Sequence, residues 1–486
     1  MHRPTLGWRA VGARLVHALT LGSLLLTGLA VFLPASLLPA PVAAMCGMMV
    51  RPMPRTGPVE RAALPNRETV VALMREGTRT VVAFQNDYLG PAEDFALIVP
   101  VPVVLHEGDV RTLHPSVFRQ VQVAAQPRVV ELWEQDPCPA SRGTGLGLRA
   151  SVAASGGVAM ADNASREAAQ PPSVRVEAQF QAGEYDVVIL SASDSLGLEN
   201  WLREQRYAVP EGAERAFRPY LEEGMKFFVA KINVARLAAL SPAHAAGLRS
   251  GRVMLSPLRF HYDSERFTLP VRLGLANSRG EQDLAIHILS PEGRYTTANY
   301  RNRFVPTNRR YGQGSAGDFD AMYERLFATM SRNTPRAVFT EYAGPVVPQR
   351  SSSSCLGCAR TGVNPSTLDA LGAGQLPGHV GWSSAEGQQR YRDFVLTRLH
   401  YRYGPAGLPD DLVFQRGRPI AGGFESADRA RSLRQPRPAP ANEYSVRFII
   451  KHRWTGPIRC RAPRRNQWGG NNGPGVGPGV HLGDLL

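Results

Sequence analysis

Lysine is almost missing from this chain of 486 residues: only Lys226, Lys231 and Lys451 occur among 56 basic side chains, so nearly all the positive charge is arginine. That skew is as readily a codon-composition effect as selection for guanidinium chemistry, and no nucleic-acid partner is read from it. Cysteine is scarce too, at five residues, which excludes a disulfide-dense miniprotein. Only one stretch, Leu15 to Leu33, is apolar enough to span a bilayer, which excludes a polytopic membrane protein. Also lacking are a Gly-x-Ser-x-Gly elbow, a phosphate-binding Gly-rich loop with lysine and a His-Glu-x-x-His helix, so no common hydrolase, nucleotide or zinc-protease chemistry is expected and no cofactor is read.

What is present is a globular composition, 43% hydrophobic and 20% charged, long enough for two or three domains or one elaborated domain. Residues 1–44 carry no acidic side chain, have Arg3, Arg9 and Arg14 before the apolar run, and end in Val42-Ala43-Ala44. This is the pattern of a secretory signal peptide; its rival is an uncleaved anchor, the one route to the membrane that the sequence offers. The chain is therefore expected to be exported: periplasmic, on the cell surface or extracellular.

Export permits disulfides, and Cys46, Cys138, Cys355, Cys358 and Cys460 are all candidates. Spacing does not choose their pairing. Cys355-Leu356-Gly357-Cys358 is the sharpest local motif, able to close a small disulfide, share a metal or exchange thiols. A serine run precedes it and Asn364-Pro365 follows, so a loop holding structural disulfides is read and no metal is assigned. The alternative is a thiol or metal site joining Cys355 and Cys358 to His400. His400 could also be a general base oriented by Asp410 or Asp411, against the plainer reading of a partly buried residue bonded to neighbouring loops. Glu93 and Asp94 read as caps, and no catalytic residue is assigned.

Alternation and turn residues predict strands at Thr69 to Met74, Thr80 to Phe84 and Phe95 to Val101, the last ending at a sheet edge because of Pro100 and Pro102. A helix follows at Pro115 to Gln126, and 140–172 is a Gly, Ala and Ser-rich flexible loop. A hairpin turns at Ala182-Gly183, and helices begin at Asp194 and Glu211 before a strand at Lys226 to Val234. Strands are expected at Leu258 to Tyr262, Leu269 to Leu273 and Leu284 to Leu289. A long loop follows from Tyr295 to Tyr311, then a helix from Asp318 to Met330 and a strand at Val338 to Tyr342. Asp393 to Tyr403 reads as helix or strand, Gly417 to Ala441 as loop and Ser445 to Lys451 as strand.

The fold class is therefore α+β, mainly antiparallel sheets with a few packed helices, long loops and a disordered C-terminal tail. Its parts are a signal peptide at 1–44, a β-rich part at 45–139, the loop at 140–172, an α+β part at 173–350, a cysteine-containing part at 351–465 and a Gly-rich tail at 466–486.

Charge is unevenly spread. Arg429 to Arg465 holds eleven basic residues against Glu443 alone, a local net of +10. Removing the leader takes the total from +15 to +12, and with Asp484 in the tail the body from Met45 to Asp428 keeps only +3. Any anionic partner is thus expected at Arg447, Lys451, Arg453, Arg459, Arg461, Arg464 and Arg465.

Several segments together are familiar. Gly90-Pro91-Ala92-Glu93-Asp94-Phe95 followed by Ile98-Val99-Pro100-Val101-Pro102 resembles the signature of the bacterial family catalogued as domain of unknown function 2330. Trp201-Leu202 with Tyr207 and Pro210, the Cys355 to Cys358 motif with Leu368 to Gly372, Thr397 to Phe414, and Trp454-Thr455-Gly456-Pro457 with Cys460, Trp468 and Gly469 are similar to it as well. The likeness runs from about Cys46 to Gly470. It implies a signal peptide and a structural role for the loop cysteines, and it supplies no activity. Many relatives have a second cysteine shortly after the first, where this chain has Met48, Met49 and Val50, so local pairing of Cys46 is not implied. The reading is an uncharacterised exported protein acting as a noncatalytic binding or envelope-associated module. Its rival is an extracellular enzyme or thiol/metal protein using Cys355 and Cys358.

Overall fold

Two sheets facing one another organise the chain. In the computed structural model the described residues are 47–52, 69–85, 87–89, 95–138, 173–250, 252–277, 281–311, 319–348, 360–404, 410–423 and 434–468. All lie within one unit, residues 42–486. Cys46, Glu93, Asp94, Cys355, Cys358, the loop at 140–172 and the Gly-rich tail beyond Trp468 fall outside them.

The first sheet is antiparallel, in the order Tyr207–Ala208, Met48–Pro52, Ala96–Val101, Lys226–Ile232, Tyr185–Ala192, Val174–Ala182. The second has eleven strands. Its middle runs Ala337–Pro345, Val395–Tyr403, Gln282–Ser290, Thr69–Glu76, Arg79–Gln85, Leu258–Asp263, with one parallel pair where Gln282–Ser290 meets Thr69–Glu76. Most pairs are antiparallel, and the fold is α+β.

The two-residue period of each strand explains the layers. Leu97, Val99, Val187, Ile189 and Phe228 of the first sheet face Val71, Leu73, Val82, Phe84, Ile286 and Leu399 of the second in one core. Their neighbours in sequence point outwards and are covered by helices. Ser195–Glu204 and Ala213–Glu222 bring Leu198, Leu202, Phe217 and Tyr220 onto Ala96, Ile98 and Phe227. Ser116–Ala125 and Pro365–Leu371 cover Val70, Ala72 and Met74. Phe319–Asn333 covers Phe339 and Ala343. Strands buried on both faces read as continuous apolar runs, which is why they stood out in the sequence.

The three N-terminal strands, the hairpin at Gly183, the helix capped by Asp194 and the strand after Gly224 form as expected. Asp194 accepts from the Gly197 amide at 2.6 Å. Gly183 takes a positive φ of 57°, and a Cβ there would meet the Thr112 side chain at 2.7 Å. The 96–101 strand lies inside its sheet, yet its second neighbour pairs only with Ala96 to Ile98, so Pro100 sits at an edge-like end among the described residues.

Other expectations change. Strand pairing stops at Leu269, and Arg272–Asn277 is a 3-10 turn, because the amides of Val271 and Arg272 donate to the Asp411 carboxylate instead of a ladder. The segment expected as a loop from Tyr295 to Tyr311 contains short strands, Tyr295–Thr297, Arg301–Phe304 and Arg309–Arg310, each matched to a distant partner rather than to a local pattern. Ile420–Gly422 and Arg437–Pro438 likewise pair within the stretch expected as a loop from Gly417 to Ala441. Asp393 to Tyr403 resolves into the end of helix Ala385–Asp393 and strand Val395–Tyr403. The parts drawn along the sequence interleave: both main sheets draw strands from 45–139 and 173–350, and the larger also from 351–465.

Candidate functional site

His400 lies at the centre of the second sheet, 7% exposed, opposite Ala285 and Phe339. The neighbouring strand shifts register between Thr340 and Tyr342, so Glu341 is an extra residue in the ladder and its side chain is re-aimed toward His400. Glu341 accepts from His400 Nδ1 at 2.8 Å, from Arg398 Nε at 2.6 Å and from the Tyr323 hydroxyl at 2.5 Å. On the other side His400 Nε2 lies 3.3 Å from Asp283, which also accepts from Arg402 Nε at 2.8 Å. Arg402 reaches Glu324 of the covering helix at 2.6 Å, and Phe327 of that helix stacks on the imidazole, centroids 3.6 Å apart.

Burial opposes charge at His400, Glu341, Asp283 and Arg402, but the opposite charges win. Burial lowers the His400 pKa while Glu341 and Asp283 raise it, holding it up at about 9. Glu341 and Asp283 are each pulled down to about 2, against burial, by His400 with Arg398 and Arg402 respectively. His287, which accepts from Arg398 Nη1 at 3.2 Å, is driven well below the usual histidine range by burial and that guanidinium, and so is neutral. Three cations, His400, Arg398 and Arg402, thus face three anions, Glu341, Asp283 and Glu324.

Both nitrogens of His400 are committed, and in its protonated form neither has a lone pair for a metal or a substrate proton. Asp410 and Asp411 do not orient it. Asp411 accepts from Tyr220, Val271 and Arg272, stitching a helix to a turn. Among the described residues no group of three His, Cys, Asp or Glu side chains is placed to hold a metal. The cluster fastens helix to sheet.

The arginine bias is also used inside. Arg75, Arg259, Arg294 and Arg360 are all under 9% exposed and donate to main-chain carbonyls: Thr78 at 2.8 Å, Ala370 at 2.9 Å, Arg418 at 2.5 Å and Ala124 at 2.7 Å. Arg360 also lies over the Tyr342 ring at 4.5 Å. A planar fork suits such capping better than an ammonium does.

The candidates at the C-terminal end separate into two groups. Strand Arg447–His452 pairs in parallel with Arg128–Trp133, its Phe448, Ile449 and Ile450 buried. Arg447 is therefore interior, 5% exposed, with Nε donating to Asn308 at 2.5 Å, and it is removed from the anion-facing set. Lys451 lies over the Trp468 ring at 4.7 Å, and Arg465 pairs with Glu134 at 3.2 Å. Arg453, Arg459, Arg461 and Arg464 are exposed.

These four stand on a loop clasped to the body. Glu134, fully buried, accepts from the Trp454 amide at 3.1 Å where the loop begins and from the Asn466 amide at 2.7 Å where it ends. Burial works against the Glu134 charge, but those two amides and the nearby Arg465 hold its carboxyl below the usual range. Midway, Cys460 is disulfide-bonded to Cys138, and the Arg464 amide donates to the Pro137 carbonyl at 2.8 Å. Of the five cysteine candidates these two are joined. Glu134 carries no spacing signal in the sequence: it is one of three acids, with Glu131 and Asp136, just before a proline-cysteine turn.

Comparison with known families adds one finding. A family described as an uncharacterized protein conserved in bacteria, domain of unknown function 2330, matches residues 40–415. The chain belongs to that family. No curated protein and no solved structure matches it. The family match takes in His400, Glu341, Asp283 and Asp411 and ends before the clasped loop, so the segment from Trp454 to Gly469 lies beyond it.

Proposed function

We propose that this member of the family is an exported, noncatalytic module that attaches to an anionic component of the bacterial envelope. The observation that carries the reading is the clasped loop: four arginines, with no acidic residue between Arg453 and Arg465, held outward by Glu134 and Cys138. The one distinctive histidine, His400, is committed to a self-neutralised buried cluster, which favours binding over catalysis. Export is supported by the acid-free arginine-led N-terminal sequence and by a disulfide, a bond that persists in oxidising compartments. Among the described residues no helix is long and apolar enough to cross a membrane.

The test is association of the full chain with isolated envelopes as salt is raised. Binding falling steeply between low and physiological ionic strength, and lost when Arg453, Arg459, Arg461 and Arg464 are all changed to Gln, supports the reading. Equal binding by that variant at low salt overturns it. Substitution is the right tool, because truncation after Asp428 would delete core strands at Glu443–Ser445 and Arg447–His452.

A further inference from the structure

The exposed arginines of the clasped loop have an apolar companion. Ile458 lies between Arg453 and Arg459, immediately before the latter, and is 48% exposed, one of few large apolar side chains that the described residues give to solvent. Pro457 beside it and Pro463 further along are exposed as well. A dissolved polyanion would be met by guanidinium groups alone and gains nothing from an exposed branched hydrocarbon at their centre. A bilayer offers both partners: phosphates at the surface and acyl chains directly beneath. Because Glu134 and Cys138 pin the entry, middle and exit of the loop, its arginines and apolar tip are presented without the ordering cost that a free tail would incur.

We propose that residues 453–464 form a peripheral membrane-docking loop: Ile458 enters the acyl boundary of an anionic bilayer while Arg453, Arg459, Arg461 and Arg464 engage lipid phosphates. This rests on the envelope-binding reading and names its partner as lipid. Guanidinium forks pair with phosphate oxygens in bidentate fashion, and their aliphatic stems can lie along the interface beside the isoleucine. The buried acid Glu134 accepts from loop amides and pairs with Arg465; of the four exposed arginines it interacts electrostatically with Arg453, which leaves Arg459, Arg461 and Arg464 as the main lipid-facing cations.

The experiment is co-sedimentation of the full chain with vesicles of phosphatidylcholine alone and of phosphatidylcholine with phosphatidylglycerol, with soluble polyphosphate as a second probe. The wild-type chain should bind the anionic vesicles and ignore the neutral ones. Ile458→Glu should weaken vesicle binding by roughly tenfold or more, since it removes apolar burial and adds one opposing charge, and that charge alone should lower polyphosphate binding to a smaller extent. Ile458→Ser should weaken vesicle binding without added charge and leave polyphosphate binding unchanged, and Ile458 is exposed enough for the fold to persist in both variants. Wild-type affinity in both Ile458 variants, or binding to polyphosphate with none to vesicles, overturns the lipid assignment. If the chain ignores vesicles yet still binds isolated envelopes in a salt-sensitive way, the lipid assignment fails and the envelope reading stands; if it ignores both, both fail.

Discussion

Glu341 accepts a hydrogen bond from His400 Nδ1 at 2.8 Å, and it reaches that nitrogen because it is the extra residue of a β-bulge. With Arg398 and Tyr323 on the same carboxylate, three side chains from one neighbouring strand and a helix converge on one fully buried acid. Removing the acid takes the carboxylate partner from Arg398 and leaves His400 with Asp283 alone. Glu341→Ala should therefore cost about 3–5 kcal/mol of folding stability, the range for breaking one side of a buried charge network. Urea unfolding measures it, and a loss under about 1 kcal/mol would show the cluster to be dispensable.

The same cluster gives a pH profile with a defined sign. His400 is held up at about 9 in the folded state, against about 6.5 unfolded, so its contribution is complete below about pH 6.5 and is lost as pH rises through 9. Glu341 and Asp283, held down at about 2, contribute fully above about pH 5 and lose that contribution as pH falls toward 2. Stability should thus be greatest between about pH 5 and 6.5 and decline on both sides. His400→Gln should remove the alkaline decline selectively. Thermal melting across pH 3 to 10 tests this; an unchanged alkaline limb in the variant would assign it to another group.

Legibility in the sequence followed the range of the forces involved. Strands buried on both faces, such as Ala96–Val101 and Thr69–Glu76, announce themselves as apolar runs, and Asp194 and Gly224 mark helix ends locally. Helices Val234–Leu240 and Pro242–Arg249 leave only a faint sequence signal, the caps Asn233 and Ser241 with Pro242 at a first turn, because each is short and buries little of its own. His400 was visible as an unusual residue, but its partners Glu341 and Asp283 lie 59 and 117 positions away, and only the bulge and the sheet order bring them together. The Cys138–Cys460 bond spans 322 positions, a distance over which spacing carries no information. The positive charge of the C-terminal segment was legible; which arginines face inward was not, since that depends on the parallel pairing of Arg447 with Arg128.

Arginine and lysine should prove unequal at the carbonyl-capping sites. Arg259 is 5% exposed and donates through Nη1 to Ala370, with Asp369 at the longer distance of 3.4 Å, at the end of helix Pro365–Leu371. Burial lowers its pKa, and Arg111 adds to that, so the site does not favour charge and depends on hydrogen-bond geometry. Arg259→Lys keeps the charge but replaces the planar fork with a compact ammonium of shorter reach. A loss of about 1–2 kcal/mol in chemical denaturation is expected. Full wild-type stability would mean that charge alone satisfies the helix end.

The clasp makes local and global predictions that can be separated. Replacing Cys138 and Cys460 together with serine opens a link across most of the described chain and should lower stability by roughly 2–5 kcal/mol, a model-dependent range for disulfides. Glu134→Ala leaves that link intact and removes only the acceptor of the Trp454 and Asn466 amides. It should therefore cost less globally, on the order of 1–3 kcal/mol, while raising amide hydrogen exchange across 453–466. Both variants free the loop, but only the first relaxes the unfolded-state constraint, so thermal melts with and without a reducing agent should shift for Glu134→Ala and not for the double serine variant. If exchange in 453–466 is as fast in the wild-type chain as in Glu134→Ala, the loop is not held by that carboxylate, and the fixed array of arginines that the membrane-docking proposal requires does not exist.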